Sequence, residues 1–224
     1  MSFLGAHAAV LLHGCLLTVV LAAASWLLAL VVGLTLALLR MSGAVILEYL
    51  VIALVEYQRN VPPLVHIFLW YFGVSSLLPQ GLQDFANAHH GEFCFSVIAI
   101  GLYYGAYISE DIRSGLRSIP AGQMEAARAL GLSYFAAMRR VIVPQALRAA
   151  LPPLTSEAVL LLKTTSLAMV VGVKELSFVT QDIANRTFQV FDAYASGTAI
   201  YVVLSLAVLG SGAWLSRRLQ PRGP

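Results

Sequence analysis

Long apolar runs broken by short polar segments set the pattern of this chain. Several runs reach the roughly 20 residues that an α-helix needs to cross about 30 Å of hydrocarbon. A first span is predicted over residues 10–39 and closed by Arg40, and a second over 44–78. The second is interrupted by Glu56-Tyr-Gln-Arg-Asn-Val-Pro-Pro63, whose paired prolines lack backbone donors and should break or kink the helix. A polar loop follows over 79–92, then a third span over 93–111 ending near Glu110 and Asp111. The longest polar and basic segment, 112–153, comes next. A fourth span over 154–173, a polar segment to Asp192 and a fifth span over 193–215 complete the pattern. The fold predicted is an all-α integral membrane protein of about five transmembrane helices, a single domain over 1–224 with one large loop at about 112–153.

Composition agrees with this reading. Of 224 residues, 59% are hydrophobic and 11% charged, too apolar for an ordinary soluble domain. The mean hydropathy of +0.80 points the same way. No Lys or Arg precedes the first apolar run, so a cleavable signal peptide lacks its positive start, and the first run reads as a retained span. Cys15 and Cys94 stand in or beside apolar stretches without a partner motif and read as small hydrophobes.

Charge then predicts orientation. With the N-terminus outside, the cytoplasmic side receives Arg40, the arginines at 113, 117, 128, 139, 140 and 148, and Arg217, Arg218 and Arg222. Only Lys174 and Arg186 fall outside, and Arg59 and Lys163 remain within spans. The positive-inside rule accounts for this asymmetry and places the C-terminus and the large loop in the cytoplasm. It also accounts for the pI near 9.0 without nucleic acid as a partner.

The loop carries its own local structure. Ser118-Ile-Pro120 reads as a helix start, with Ser as cap and Pro in the first turn. Glu125 suits the positive end of that helix, and Ala126, Ala127 and Ala129 keep it thin. Gly131 reads as its C-terminal stop, and Ser133 as the cap of a second helix running to Val143, before Pro144. Helix, glycine turn, helix makes a compact bracket, either an amphipathic hairpin resting on the membrane or a seat for a soluble partner.

The order Glu125-Ala-Ala, Gly131, Ile142-x-Pro144 resembles the EAA loop of ABC-importer permeases. Arg59-Asn-Val-Pro-Pro-Leu, Ile119-Pro-Ala-Gly-Gln123, Pro144-Gln-Ala-Leu-Arg148 and Leu162-Lys-Thr-Thr-Ser-Leu167 resemble segments of the polar amino-acid (His/Glu/Gln/Arg-type) uptake subfamily, whose members share a MetI-like membrane fold. His66, where such permeases commonly have Gln, and Val61-Pro62-Pro63 depart from the pattern. The resemblance implies a permease subunit in a bacterial inner membrane, powered by a separate cytoplasmic ABC ATPase dimer. A second permease subunit, identical or paralogous, and a periplasmic solute-binding protein would complete the importer, embedded in membrane lipid. Glu125, Ala126, Ala127, Gly131 and Pro144 would belong to the ATPase-coupling loop.

The chain itself has no Gly-x-x-x-x-Gly-Lys-Ser/Thr phosphate loop, so ATP and Mg would be used by the partner and no cofactor is expected here. No catalytic residues are expected. An integral membrane enzyme would need a convergent nucleophile and base or paired acids, and Glu110 and Asp111, being adjacent, point different ways on a helix. A passive channel would leave the bracket without a role. Arg59, beside the proline break, and Lys163 with Thr165, in a polar turn of span four, are candidates for a solute path. Arg59 paired with Glu56, and interhelical bonding by the threonines, are the structural alternatives. Tyr103, Tyr104 and Tyr107 read either as pore lining or as aromatic packing. His89, His90 and Glu92 are not organised as a metal site.

Overall fold

The computed structural model describes residues 3–219, all of whose regular structure is helical. Among the described residues, four helices are long and apolar enough to cross a membrane: α1 (Phe3–Arg40), α5 (Gly91–Arg117), α7 (Tyr134–Val171) and α9 (Val190–Leu219). The fifth apolar stretch is split as the prolines dictate. Helix α2 (Val45–Asn60) stops at Val61, whose φ of −98° and ψ of 132° are extended. Restart is immediate, because Pro63 occupies the first turn of α3 (Pro63–Leu77), where a missing N–H costs nothing. Leu69–Val74 within α3 forms a π-helical turn.

Several boundaries differ from the sequence expectation. Helix α5 runs six residues past Asp111 to Arg117, because its last turns pack on α7 and are not a solvated loop. The segments read as polar loops contain two further helices, α4 (Gln80–Ala88) and α8 (Leu176–Thr187). Helix α6 (Ala121–Ala129) lies between α5 and α7. Arg222, counted in the charge asymmetry, lies outside the described residues.

Helices α1 and α5 form the spine of the bundle. Three glycines let their backbones approach. A Cβ built on Gly101 would lie 2.7 Å from Leu28 Cδ2, and one on Gly105 2.7 Å from Val32 Cγ1. On the α1 side, a Cβ on Gly33 would lie 2.5 Å from Ile108 Cγ2. Small residues replace the hydrophobic effect as the basis of helix association where lipid is the solvent, since they allow close van der Waals contact. Leu21, Ala29, Ile100 and Ile108 are fully enclosed around this contact. At one end of the spine, Arg40 of α1 pairs with Glu110 of α5, and Arg113 lies 3.7 Å from the same carboxylate.

Glu175 joins the other elements. Its side chain caps α8, accepting from the N–H groups of Ser177 and Phe178 at 2.9 Å each. It also accepts from Tyr201 Oη of α9 at 2.6 Å and Thr18 Oγ1 of α1 at 3.3 Å. One fully buried carboxylate thus ties three helices together. Burial holds its pKa above the ordinary carboxylate value, against the lowering effect of these donors.

Candidate functional site

The 118–144 segment folds as a bracket, with local chemistry that differs in part from expectation. Ser118 does not cap α6. Its hydroxyl donates to Gly115 O at 2.8 Å, back along α5, and Pro120 is the N-cap residue, with Ala121 opening the helix. At the other end Gly131 adopts φ +85°. Its N–H donates to Arg128 O at 3.0 Å and the Leu132 N–H to Ala127 O at 3.2 Å, the paired bonds of a Schellman stop. A Cβ on Gly131 would meet nothing within 4 Å, so the glycine is required by backbone conformation and not by crowding. Ser133 caps the next helix as expected, its Oγ accepting from Ala136 N at 3.2 Å.

Glu125 and Ala126 stand on the exposed side of α6, whereas Ala127 is buried against its own chain. The most exposed large apolar side chains of the bracket are Leu130, Tyr134 and Phe135. Gln145 Nε2 donates to Gln123 Oε1 at 3.3 Å and ties α6 back to α7.

The second bracket helix does not stop at Pro144. Residues Met138–Ile142 form a π-helical turn and the helix then continues to Thr164, ending in a 3-10 segment to Val171. A widened turn places Pro144 in the first turn of the following segment, where its lack of an N–H is tolerated. The bracket is therefore covalently and helically continuous with α7.

A second polar group gathers where α2, α5 and α7 meet. The Arg59 guanidinium lies over the Tyr107 ring, 5.1 Å from its centroid, and Tyr107 Oη donates to Arg59 O at 3.3 Å. Glu56 does not pair with Arg59; it accepts from Asn60 Nδ2 at 3.0 Å. Tyr103 and Tyr107 hydroxyls are 3.2 Å apart, and Tyr104 Oη bonds Thr164 Oγ1 at 2.7 Å. Glu157 of α7 and Asp111 of α5 lie within electrostatic reach of each other and of Arg59. Asp111 Oδ2 is buried and has no hydrogen-bond partner among the described residues.

Of the path residues expected, Arg59 belongs to this seam. Lys163 is exposed on α7. Thr165 is fully buried and donates to Leu162 O at 2.7 Å, so it supports helix packing from behind. His66 is buried edge-on to Tyr57 and Tyr103, with Nε2 3.3 Å from Gln58 O, and serves the break between α2 and α3. The acids Asp111 and Glu157 were not expected. A lone carboxyl in an apolar helix was the available signal for Glu157.

The family model described as "Binding-protein-dependent transport system inner membrane component" matches residues 25–221. The probable glutamine ABC transporter permease protein GlnM of Bacillus subtilis is 34% identical over 208 residues, covering 93% of this chain and 90% of that protein. The nopaline transport system permease protein NocM of Agrobacterium fabrum is 35% identical, covering 92% and 87%. The arginine ABC transporter permease protein ArtQ of Escherichia coli is 37% identical over 69% of this chain and 71% of its own. Among solved structures, an amino acid ABC transporter crystallised with histidines superposes with a TM-score of 0.84 at 29% identity, covering 97% of this chain and 99% of that one. The MetNI methionine ABC transporter in inward-facing form reaches 0.76 at 19% identity, a likeness of fold.

Proposed function

Because the chain belongs to the family of binding-protein-dependent transport system inner membrane components, we propose that it is the permease subunit that passes an amino acid or a close derivative across the inner membrane. The relatives are named as glutamine (probable), nopaline and arginine transport permeases, which supports that solute class. ATP is hydrolysed by a separate subunit. The observation that carries the reading is the bracket, a folded element with exposed Leu130, Tyr134 and Phe135, continuous with the membrane helix α7.

The mechanism follows from that continuity. An ATPase surface takes the exposed side of α6, where Glu125 and Ala126 lie, together with the three apolar side chains. Ala127 and Gly131 hold the bracket's shape from within, and Pro144 sits beyond the π-helical turn that joins it to α7. When two ATPase subunits close on ATP, the brackets move and bias the bundle between inward-open and outward-open states. Solute delivered by a periplasmic binding protein then crosses between two permease subunits.

The seam of Arg59, Tyr107, Asp111 and Glu157 is the polar path in this reading, with Lys163 nearby along α7. A charged group at membrane depth is costly unless it is paired or faces water, and such groups mark solute paths. Orientation follows the arginine asymmetry, with the N-terminus outside and the bracket in the cytoplasm.

Co-purification with the ATPase tests the reading. Glu125→Lys and Gly131→Arg are expected to lose the bound ATPase and uptake while the permease still inserts. Retention of both by both variants would overturn it.

A further inference from the structure

The loop expected over 79–92 is largely the nine-residue helix α4, and its side chains sort into three sectors. Gln83 and Ala86 face the protein: Gln83 Nε2 donates to Leu78 O at 2.7 Å and Ser76 O at 3.2 Å, and the Ala86 carbonyl lies 2.9 Å from where a Gly91 Cβ would be. Gln80, Asp84 and Asn87 form a polar exposed side. Leu82 and Phe85, at 53% and 61% exposure, form the third sector, with His89 stacked on Phe85 at 4.2 Å.

The connections leave this helix no freedom of depth. Two residues, Leu78 and Pro79, join it to α3, and two, His89 and His90, join it to α5. Both neighbours are apolar helices of the bundle, one ending and the other beginning next to α4. Leu77, at the end of α3 next to this connection, is itself 84% exposed.

We propose that α4 lies in the headgroup region of the bilayer, at the end of the bundle opposite the bracket, with Leu82 and Phe85 among the upper acyl carbons. The occupant of the apolar sector is lipid. A helix with one face on protein, one on water and one on hydrocarbon fits an interfacial position. Helix α4 contains no Lys or Arg, so its seating is apolar and independent of anionic lipid. This placement rests on the chain spanning the membrane and is independent of the solute or the ATPase.

The test uses nitroxide labels at 82, 84, 85 and 87, one at a time, with Cys15 and Cys94 replaced by Ser, in the intact importer reconstituted into phosphatidylcholine vesicles. Accessibility to oxygen and to a water-soluble nickel chelate is then measured. The oxygen-to-nickel ratio is expected to be at least about threefold higher at 82 and 85 than at 84 and 87, as for a helix lying in the interface. It should not change when phosphatidylglycerol is added. Equal nickel access at all four sites would show an aqueous helix and overturn the proposal. Exclusion of both reagents at 82 and 85 would show a protein partner and overturn it equally.

Discussion

Gly131→Ala, compared with Gly131→Asn, separates two reasons for a glycine in the bracket. The residue sits at φ +85° with open space where a Cβ would point. Alanine therefore meets no clash, but a left-handed conformation costs an ordinary L-residue about 1 kcal/mol or somewhat more. That is roughly a fivefold loss in the population of the native turn at RT of about 0.59 kcal/mol. Asparagine tolerates the same region and should lose much less. The assay is transport-coupled ATP hydrolysis in proteoliposomes, with ATPase retention on the purified permease measured alongside. Alanine is expected to reduce coupled turnover several-fold, and Asn to remain close to the parent. If Asn were as damaging as Ala, bulk against the partner, and not backbone conformation, would explain the glycine.

Three further outcomes are expected. Gly105→Leu should separate α1 from α5, since even a Cβ lies 2.7 Å from Val32, and lower the melting temperature in detergent by the equivalent of about 1–3 kcal/mol; an unchanged melting curve would contradict the close packing. Arg59→Gln should leave folding intact and cut uptake by about tenfold or more at unchanged ATPase binding, as for loss of a charged path residue; unaltered uptake would remove Arg59 from the path. Glu175 supplies a pH dependence. Because burial raises its folded pKa above the ordinary 4.5, the folded chain binds the proton more readily than the unfolded one. Its contribution to stability is therefore full below pH 4.5 and falls as pH rises through the folded pKa. The melting-temperature difference, Glu175→Gln minus parent, should grow more positive over that window; a constant difference would refute the assignment.

Much of the architecture was legible because it depends on local chemistry. The break at Pro62-Pro63, the Ser133 cap and the Gly131 stop follow from missing N–H groups, a side-chain acceptor and a left-handed turn. The different directions of Glu110 and Asp111 followed from helix geometry, and one pairs with Arg40 while the other lies within electrostatic reach of Arg59. Pro144 misled, since a proline ends an ordinary α-helix but can follow a π-helical turn, and nothing in Met138-Arg-Arg-Val-Ile142 announces that turn. Helices α4 and α8 were hidden by polar composition in short segments. Glycines 33, 101 and 105, and the burial of Glu157 and Glu175, depend on which helices become neighbours. That information is tertiary and has no local signature.

The uninterrupted course of α7 has a mechanical consequence. Its 38 residues make a rod of about 57 Å at 1.5 Å per residue. Pivoted near its middle, such a rod converts a tilt of about 10° into roughly 5 Å of travel at each end, in opposite directions. The bracket end and the Lys163 end would thus move as the two arms of one lever. The adjacent Pro152 and Pro153, close to the midpoint, remove backbone hydrogen bonds there, so the two arms would also be able to bend against each other at that point.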